Sequence, residues 1–450
     1  MMKNQVLQDL CTKAAALLQA QSRSTRIRVV SHYDADGIAA AGVLCATLYN
    51  HGYDFHATLM RNPFTKGFDR LHQEHNELII FSDMGSAQIH TIESLHCPAI
   101  ILDHHQPIKK DTADQIIQIN ANLCGYDGNY DISGATLAYA LAAELGEPTE
   151  QITALALAGA TGDKQYLGGY RGYNKEILDH ATHHKLLQET IGLKLPGDSL
   201  TDALYYSIDP YYKGLSGDKH AIETTLKNLH IDGNHSIENL NDQEKTRLHS
   251  YLILTLLKAG CQPLIINEAI RTRYHSPSLR CELERFADLL DACGKNGHRS
   301  LGLALCLGNT NAYEEAKKVE HDYKEKILTA LHQLEEEGPQ EMNALRYFTS
   351  TDSSLGGVIG GIAMNYLFDE KKPLFSLARK NNEIHVSCRG NQLLVENGLD
   401  LGYAMKTVAE KLGGHGGGHK IASGATIAAD KEQEFLKQTD LILQTQLKGK

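Results

Sequence analysis

The chain has no tryptophan, and only 10 of its 450 residues are proline. The first absence says little about function. The second, beside 39 glycines, puts the irregular backbone mainly in glycine-rich stretches. Basic residues do not dominate either: Lys and Arg number 44 against 55 Asp and Glu, a formal net charge of -11. A nonspecific duplex binder carries a basic surface, so composition offers that class no support, although a local positive groove stays compatible with it. The nine cysteines form no CxxC pair, which disfavours a thiolate zinc site or a dithiol redox motif. Most of them sit in apolar surroundings and read as buried thiols, so a reducing, cytoplasmic compartment is expected. No apolar run approaches the roughly 20 residues that span a membrane. The first stretch, MMKNQVLQDLCTKAAALLQAQ, places Val6, Leu10, Ala14 and Leu17 at helical spacing and reads as an amphipathic helix rather than a signal core. No repeat of solenoid length is present.

What is present is enough for more than one core. Hydrophobic residues make up 42% of the chain, and its length predicts two or three domains. Residues 1–190 alternate apolar strands with helical stretches: RIRVV, HATLM, LIIF and PAIIL are strands, and IAAAGVLCATLYNHG is a buried helix with Gly52 beyond its end. That alternation predicts an α/β domain with a mostly parallel sheet and helices on both faces. Residues 191–342 read as a largely helical middle domain, with a short strand at PLIIN. Residues 343–450 read as a smaller C-terminal α/β domain, in which LRYFTS, PLFSLARK and IHVSCRG are strands and LGYAMKTVAEKL is a helix.

Acidic residues and histidines gather where strands end. SHYDADG follows the first strand, and if it stays extended, His32, Asp34 and Asp36 alternate onto one side. Asp83 ends LIIF; Asp103, His104 and His105 end PAIIL; Asp163 follows ALALAGA in a glycine-flanked turn. Open α/β sheets hold ligands at this C-terminal edge. So many anions repel unless protons or cations neutralise them. A carboxylate-plus-imidazole inventory suits Mn²⁺, Mg²⁺ or Zn²⁺, with Mn²⁺ favoured, and two ions would use the donors better than one. The bland alternative is an acidic cleft with a single structural cation or none. Because Asp103, His104 and His105 are consecutive, strand alternation predicts that the two histidines point apart.

The second concentration is GGHGGGHKIASG. Gly416, Gly417 and Gly418 can present backbone N–H groups as an anion nest, and His419 and Lys420 add donors. The sequence predicts a tight loop here. Arg389, just past a strand, is a further anion-binding candidate, although a lone arginine is a weak signal.

Taken together, SHYDADG, FSDMG, LDHH and GATGD resemble the four ordered motifs of the DHH phosphoesterase superfamily, and GGGHKIASG resembles that of its DHHA1 companion domain. The segments LLDACGKNGHRSLGLALCLG and DPYYKGLSG resemble those of archaeal RecJ-like exonucleases, relatives of Cdc45. The resemblance implies two divalent cations, chiefly Mn²⁺ with Mg²⁺ as the alternative. His32, Asp34 and Asp83 would hold one, and Asp36, Asp83, His104 and Asp163 the other, with Asp83 bridging. It also implies that Asp103 supports the site and that His105 contacts the scissile phosphate and assists the leaving group. Arg389, Gly416, Gly417, Gly418 and His419 would bind substrate phosphate. The implied activity is hydrolysis of single-stranded DNA or RNA from an end, releasing mononucleotides, with a role in DNA replication and repair. Association with the replisome complex GINS is implied too. The alternatives are an oligoribonuclease or small-nucleotide phosphodiesterase, and a mainly structural GINS-binding factor. One departure stands out: Lys295 in ACGK replaces an arginine usual in the relatives and lacks its bidentate fork.

Overall fold

The computed structural model describes residues 2–61, 67–108, 112–197 and 199–447. The chain divides into two compact units, residues 1–192 with 272–321 and residues 193–271 with 322–450. The segment expected as a helical middle domain is therefore shared: 272–321 packs with the first unit and the remainder with the second.

The first unit is built on a five-stranded sheet of β1 (Ile27–His32), β2 (Phe55–Met60), β3 (Ile79–Ser82), β4 (Ala99–Asp103) and β5 (Ile116–Asn120), in the order β2-β1-β3-β4-β5. Every pairing is parallel. Both faces are buried, which explains why the strands read as continuous apolar runs. Val29, Ile80 and Ile100 join the core on one face, while their neighbours Val30, Ile79 and Ile101 join the core on the other, as a two-residue period requires. The larger core also takes in helices Met2–Gln19, Ala35–Asn50, Gly134–Leu145, Glu150–Gly162 and Leu283–Lys295. From β1 the chain crosses to β2 on one side, then returns to β3 on the other. This reversal of strand order opens a crevice at the carboxyl ends of β1 and β3. A small sheet of β6 (Gln188–Leu193), β7 (Ile270–Ser276) and β8 (Cys281–Glu282) follows.

In the second unit, residues 193–271 are mainly helical. PLIIN is not a strand: helix Pro263–Ala269 begins there. Proline at the first helical turn sacrifices no hydrogen bond, and its fixed φ suits a helix start. The C-terminal sheet comprises β9 (Gln340–Glu341), β10 (Arg346–Thr349), β11 (Leu374–Lys380), β12 (Glu383–Arg389), β13 (His415–Gly418) and β14 (Ala422–Ala428), in the order β13-β14-β12-β11-β10-β9. Only β10 and β11 pair in parallel, and helix Gly356–Tyr366 makes the crossover between them. The glycine segment expected as a loop is the edge strand β13. Its lack of side chains serves close packing: a Cβ on Gly416 would lie 2.6 Å from the carbonyl oxygen of Met405, on the helix Leu401–Lys411. All nine cysteines are free and buried. Among the described residues no helix is long and apolar enough to cross a membrane.

Candidate metal centre

The crevice collects the acidic and histidine residues of the sequence motifs. His32 is the last residue of β1, Asp83 follows β3, and Asp103 ends β4 just before His104 and His105. Asp34 and Asp36 arrive by a different route from the strand alternation predicted. Asp34 is the N-cap of helix Ala35–Asn50, accepting from Gly37 N, and Asp36 lies in that helix's first turn. The segment leaves the extended state after Asp34 because the cap starts the helix. Asp163 is the C-cap of helix Glu150–Gly162.

The geometry resolves into three overlapping groups: His32, Asp34 and Asp83; Asp36, His104 and Asp163; and Asp83, His104 and His105. Within each, ligand atoms lie within 4.8 Å of one another. Asp83 and His104 each belong to two. Asp83, only 2% exposed, has a φ of 57°. That left-handed conformation, rare outside glycine and tolerated best by Asp and Asn, lets the chain turn sharply off β3. Strain of this kind costs about 1–3 kcal/mol and persists where surrounding structure enforces it.

His104 Nε2 lies 3.1 Å from Asp83 Oδ1, 3.2 Å from Asp163 Oδ2 and 3.8 Å from Asp36 Oδ2. Its Nδ1 is 2.6 Å from the carbonyl oxygen of Gly128. When Nδ1–H donates there, Nε2 carries the lone pair in the neutral ring, the arrangement that orients metal-binding histidines. His32 Nδ1 is 2.8 Å from Asp34 Oδ2 and 3.3 Å from Asp83 Oδ2. That nitrogen is buried yet makes no well-aligned hydrogen bond.

The two adjacent histidines do not point apart. Their ring centroids are 4.4 Å apart, because β4 ends at Asp103 and strand alternation stops with it. Asp103 fixes His105: its Oδ1 accepts from His105 N at 3.1 Å and lies 2.8 Å from His105 Nδ1, while Oδ2 accepts from Ser86 N at 2.8 Å. His105 is the most exposed of these side chains, at 54%.

Sequence reasoning missed the residues that hold these candidate ligands in place. The carboxylate of Asp36, fully buried, accepts from Ser133 Oγ at 2.7 Å, Gly134 N at 2.6 Å and Ala135 N at 3.0 Å. These are the N-cap and first turn of helix Gly134–Leu145, where free N–H groups and the helix dipole favour an anion. The S-x-x-T capping pattern of Ser133 and Thr136 was the available signal. Asn120, buried at the end of β5, donates to His105 O and Ser86 Oγ, each at 2.9 Å. A polar residue closing the apolar run IIQI marked it.

The electrostatics disfavour a cluster without cations. Burial, then the charge of Asp83, pushes the Asp36 carboxyl up to about 7. Burial and the Asp36 charge hold Asp163 well above the usual carboxylate range. Burial also opposes ionisation of Asp83, but contacts with His104 and His32 overcome it and hold this carboxyl below its ordinary value. Burial opposes protonation of His104 likewise, yet Asp83, Asp163 and Asp36 raise it well above 6.5. Protons shared among these groups do the work that divalent cations can do instead. The mixed oxygen and nitrogen donors, converging from two sides on Asp83, fit two such ions.

Arg389 and His419 belong to the second unit. Arg389 ends β12 opposite Ala422 of β14, and Gly418 of β13 pairs with Ser423. Arg389, Gly416, Gly417, Gly418 and His419 thus sit toward one end of three neighbouring strands. A Cβ on Gly357 would lie 2.5 Å from the Arg389 guanidinium, so this helical glycine makes room for it.

Residues 26–161 match the DHH family, N-terminal domain, and residues 346–445 match the DHHA1 domain. An uncharacterized protein of Methanocaldococcus jannaschii is 32% identical over 429 residues, covering 94% of each chain. RecJ from Thermus thermophilus, solved in complex with Mn²⁺, is similar in structure with a TM-score of 0.61 at 16% identity. That match covers 97% of this chain and 55% of RecJ, so the chain spans about half the length of that protein. A second exonuclease RecJ, bound to manganese, gives a TM-score of 0.60 at 18% identity, covering 96% of this chain and 94% of that one. CDC45 from Entamoeba histolytica gives 0.64 at 12% identity, covering 93% and 95%. These structural likenesses establish the fold. With both halves of its architecture matched, and a relative alike along nearly its whole length, the chain belongs to the DHH/DHHA1 superfamily of phosphoesterases.

Proposed function

We propose that this metal-dependent phosphoesterase is an exonuclease that hydrolyses single-stranded DNA or RNA from an end and releases mononucleotides. The observation that carries the reading is the set of three overlapping donor groups that Asp83 and His104 link at the sheet's switch point. His32, Asp34 and Asp83 would hold one divalent cation. Asp36, Asp83, His104 and Asp163 would hold the other. When bound, the two cations supply an activated water and neutralise charge developing on phosphate oxygen. Asp103 fixes the His105 ring, which is exposed enough to meet the scissile phosphate and hold or deliver a proton at the leaving oxygen. Arg389, Gly416, Gly417, Gly418 and His419 would take substrate phosphate. The RecJ structures bound to manganese support Mn²⁺, and a likeness to RecJ supports a nucleic-acid strand as substrate.

The likeness to CDC45 favours a second reading, a replication partner that binds GINS without hydrolysis. The complete donor set argues for the enzyme. End-labelled single-stranded DNA, single-stranded RNA and duplex, incubated with Mn²⁺, test the choice. Mononucleotides from single strands support the exonuclease. No hydrolysis of any of the three, together with co-purification with GINS, refutes it.

A further inference from the structure

The geometry points to a second anion subsite beside the metal centre, built by Arg61 and Arg299 around Tyr33, which binds a non-scissile phosphate of the substrate strand. This rests on the exonuclease reading and names residues that reading does not use.

Tyr33 stands between His32 and Asp34 in sequence, and its ring meets that of His32 edge-on, with centroids 4.8 Å apart. The guanidinium carbons of Arg61 and Arg299 each lie 5.7 Å from the Tyr33 ring centroid, within the roughly 6 Å reach of a cation–π contact. Two like charges are thus brought to one ring. Among the described residues neither arginine has a carboxylate partner, and the buried Nε of Arg299 has no hydrogen-bond partner. The contrast with the next cation along is informative: Lys295 pairs with Asp291. In a chain with 55 acidic residues, two unpaired guanidiniums beside a phosphodiester site are suited to an anion from outside.

The fold holds this arrangement tightly. A Cβ on Gly294 would lie 1.8 Å from the Tyr33 carbonyl oxygen, and one on Gly302 would lie 3.2 Å from Ile38 side-chain atoms. Helices Leu283–Lys295 and Arg299–Cys306 therefore press against the segment that carries Tyr33. The turn between them delivers Arg299 to the ring. A guanidinium offers several N–H donors in a plane, suited to phosphate oxygens, and a nucleic-acid strand carries a phosphate at every linkage.

The test is equilibrium binding of fluorescent single-stranded hexanucleotides, with Ca²⁺ in place of Mn²⁺. One probe is fully charged, and the others carry a single neutral methylphosphonate at successive linkages. The native protein should lose about tenfold in affinity at one linkage away from the scissile one, as a charge-assisted contact predicts. Arg299→Ala and Arg61→Ala should bind the charged strand about tenfold more weakly and lose that sensitivity. The slope of log affinity against log salt should become shallower by about 0.7 per contact. Arg61 is exposed, so its variant is not expected to disturb folding. An identical linkage profile and salt slope in both variants overturn the subsite. So does a native protein that binds no hexanucleotide. Binding with the predicted profile but no hydrolysis in Mn²⁺ leaves the subsite standing and refutes the exonuclease reading alone.

Discussion

His104 Nε2 lies 3.1 Å from Asp83 Oδ1, so the two residues that each belong to two of the three donor groups also touch each other. Asp83 belongs to both proposed ligand sets, so its loss should affect both ions. Asp83→Ala is expected to weaken binding of both cations and to lower turnover well beyond the roughly 10–100-fold typical of outer partners of a metal site. Metal titration by calorimetry, alongside an exonuclease assay, reads both. Two ions bound with near-native turnover would remove Asp83 from its bridging place.

Divalent cations should stabilise the fold, because they replace the protons shared by buried carboxylates. At a hundredfold excess over the dissociation constant, one site adds about 2.7 kcal/mol. Adding Mn²⁺ to chelator-treated protein should raise the melting temperature. Asp163→Asn should change the metal-free melt little, since burial and Asp36 already disfavour the Asp163 charge, yet it should shrink the Mn²⁺-induced rise. An undiminished rise counts against Asp163 as a ligand.

His105 and His104 should separate by function despite lying side by side, their rings tilted at 49°. His105→Ala is expected to keep both ions and slow single-turnover hydrolysis by about 10²–10⁴, the usual worth of a placed proton donor. His104→Ala should lose metal first. Since His105 also lies within reach of Asp83, a His105 variant that loses an ion would move this histidine into the ligand set.

Gly134 is where packing and chemistry meet. A Cβ there would lie 2.7 Å from Asp83 Cβ and 2.9 Å from Asp36 Oδ2. Gly134→Ala should cost about 1–3 kcal/mol through overpacking, lowering the melting temperature by about 2–4 °C per kcal/mol in a unit of this size. It should also weaken metal binding, since the clash falls on two of the proposed ligands. A native melt with native metal affinity would show that the helix shifts freely.

Arg389→Ala should leave the metal centre and the fold intact and lower kcat/KM on single strands by about ten- to a hundredfold, the worth of a charge-assisted contact of about 1.5–3 kcal/mol. Kinetics across salt concentrations check this, and an unchanged kcat/KM would leave Arg389 without a substrate role.

The sequence by itself determined the parallel sheet and the strand ends at which the acidic and histidine residues gather. Apolar runs such as LIIF and PAIIL, buried on both faces, declare strands wherever they pack, and a polar residue ending such a run can only emerge at the sheet's edge. Local patterns stopped being informative where a residue's direction depends on a distant partner. Strand alternation misplaced His105, because the strand ends at Asp103, and it reached Asp36 by the wrong path, because Asp34 caps a helix. The glycines from 416 to 418 read as a loop, yet pairing with β14 and the helix Leu401–Lys411 made them a strand. Only the tertiary structure decided that Ser133 and Gly134 would cradle Asp36, almost a hundred residues away in sequence. It also brought Arg299 to Tyr33. Spacing encodes contacts within an element; contacts between elements follow from which apolar faces bury each other, and no local motif records that.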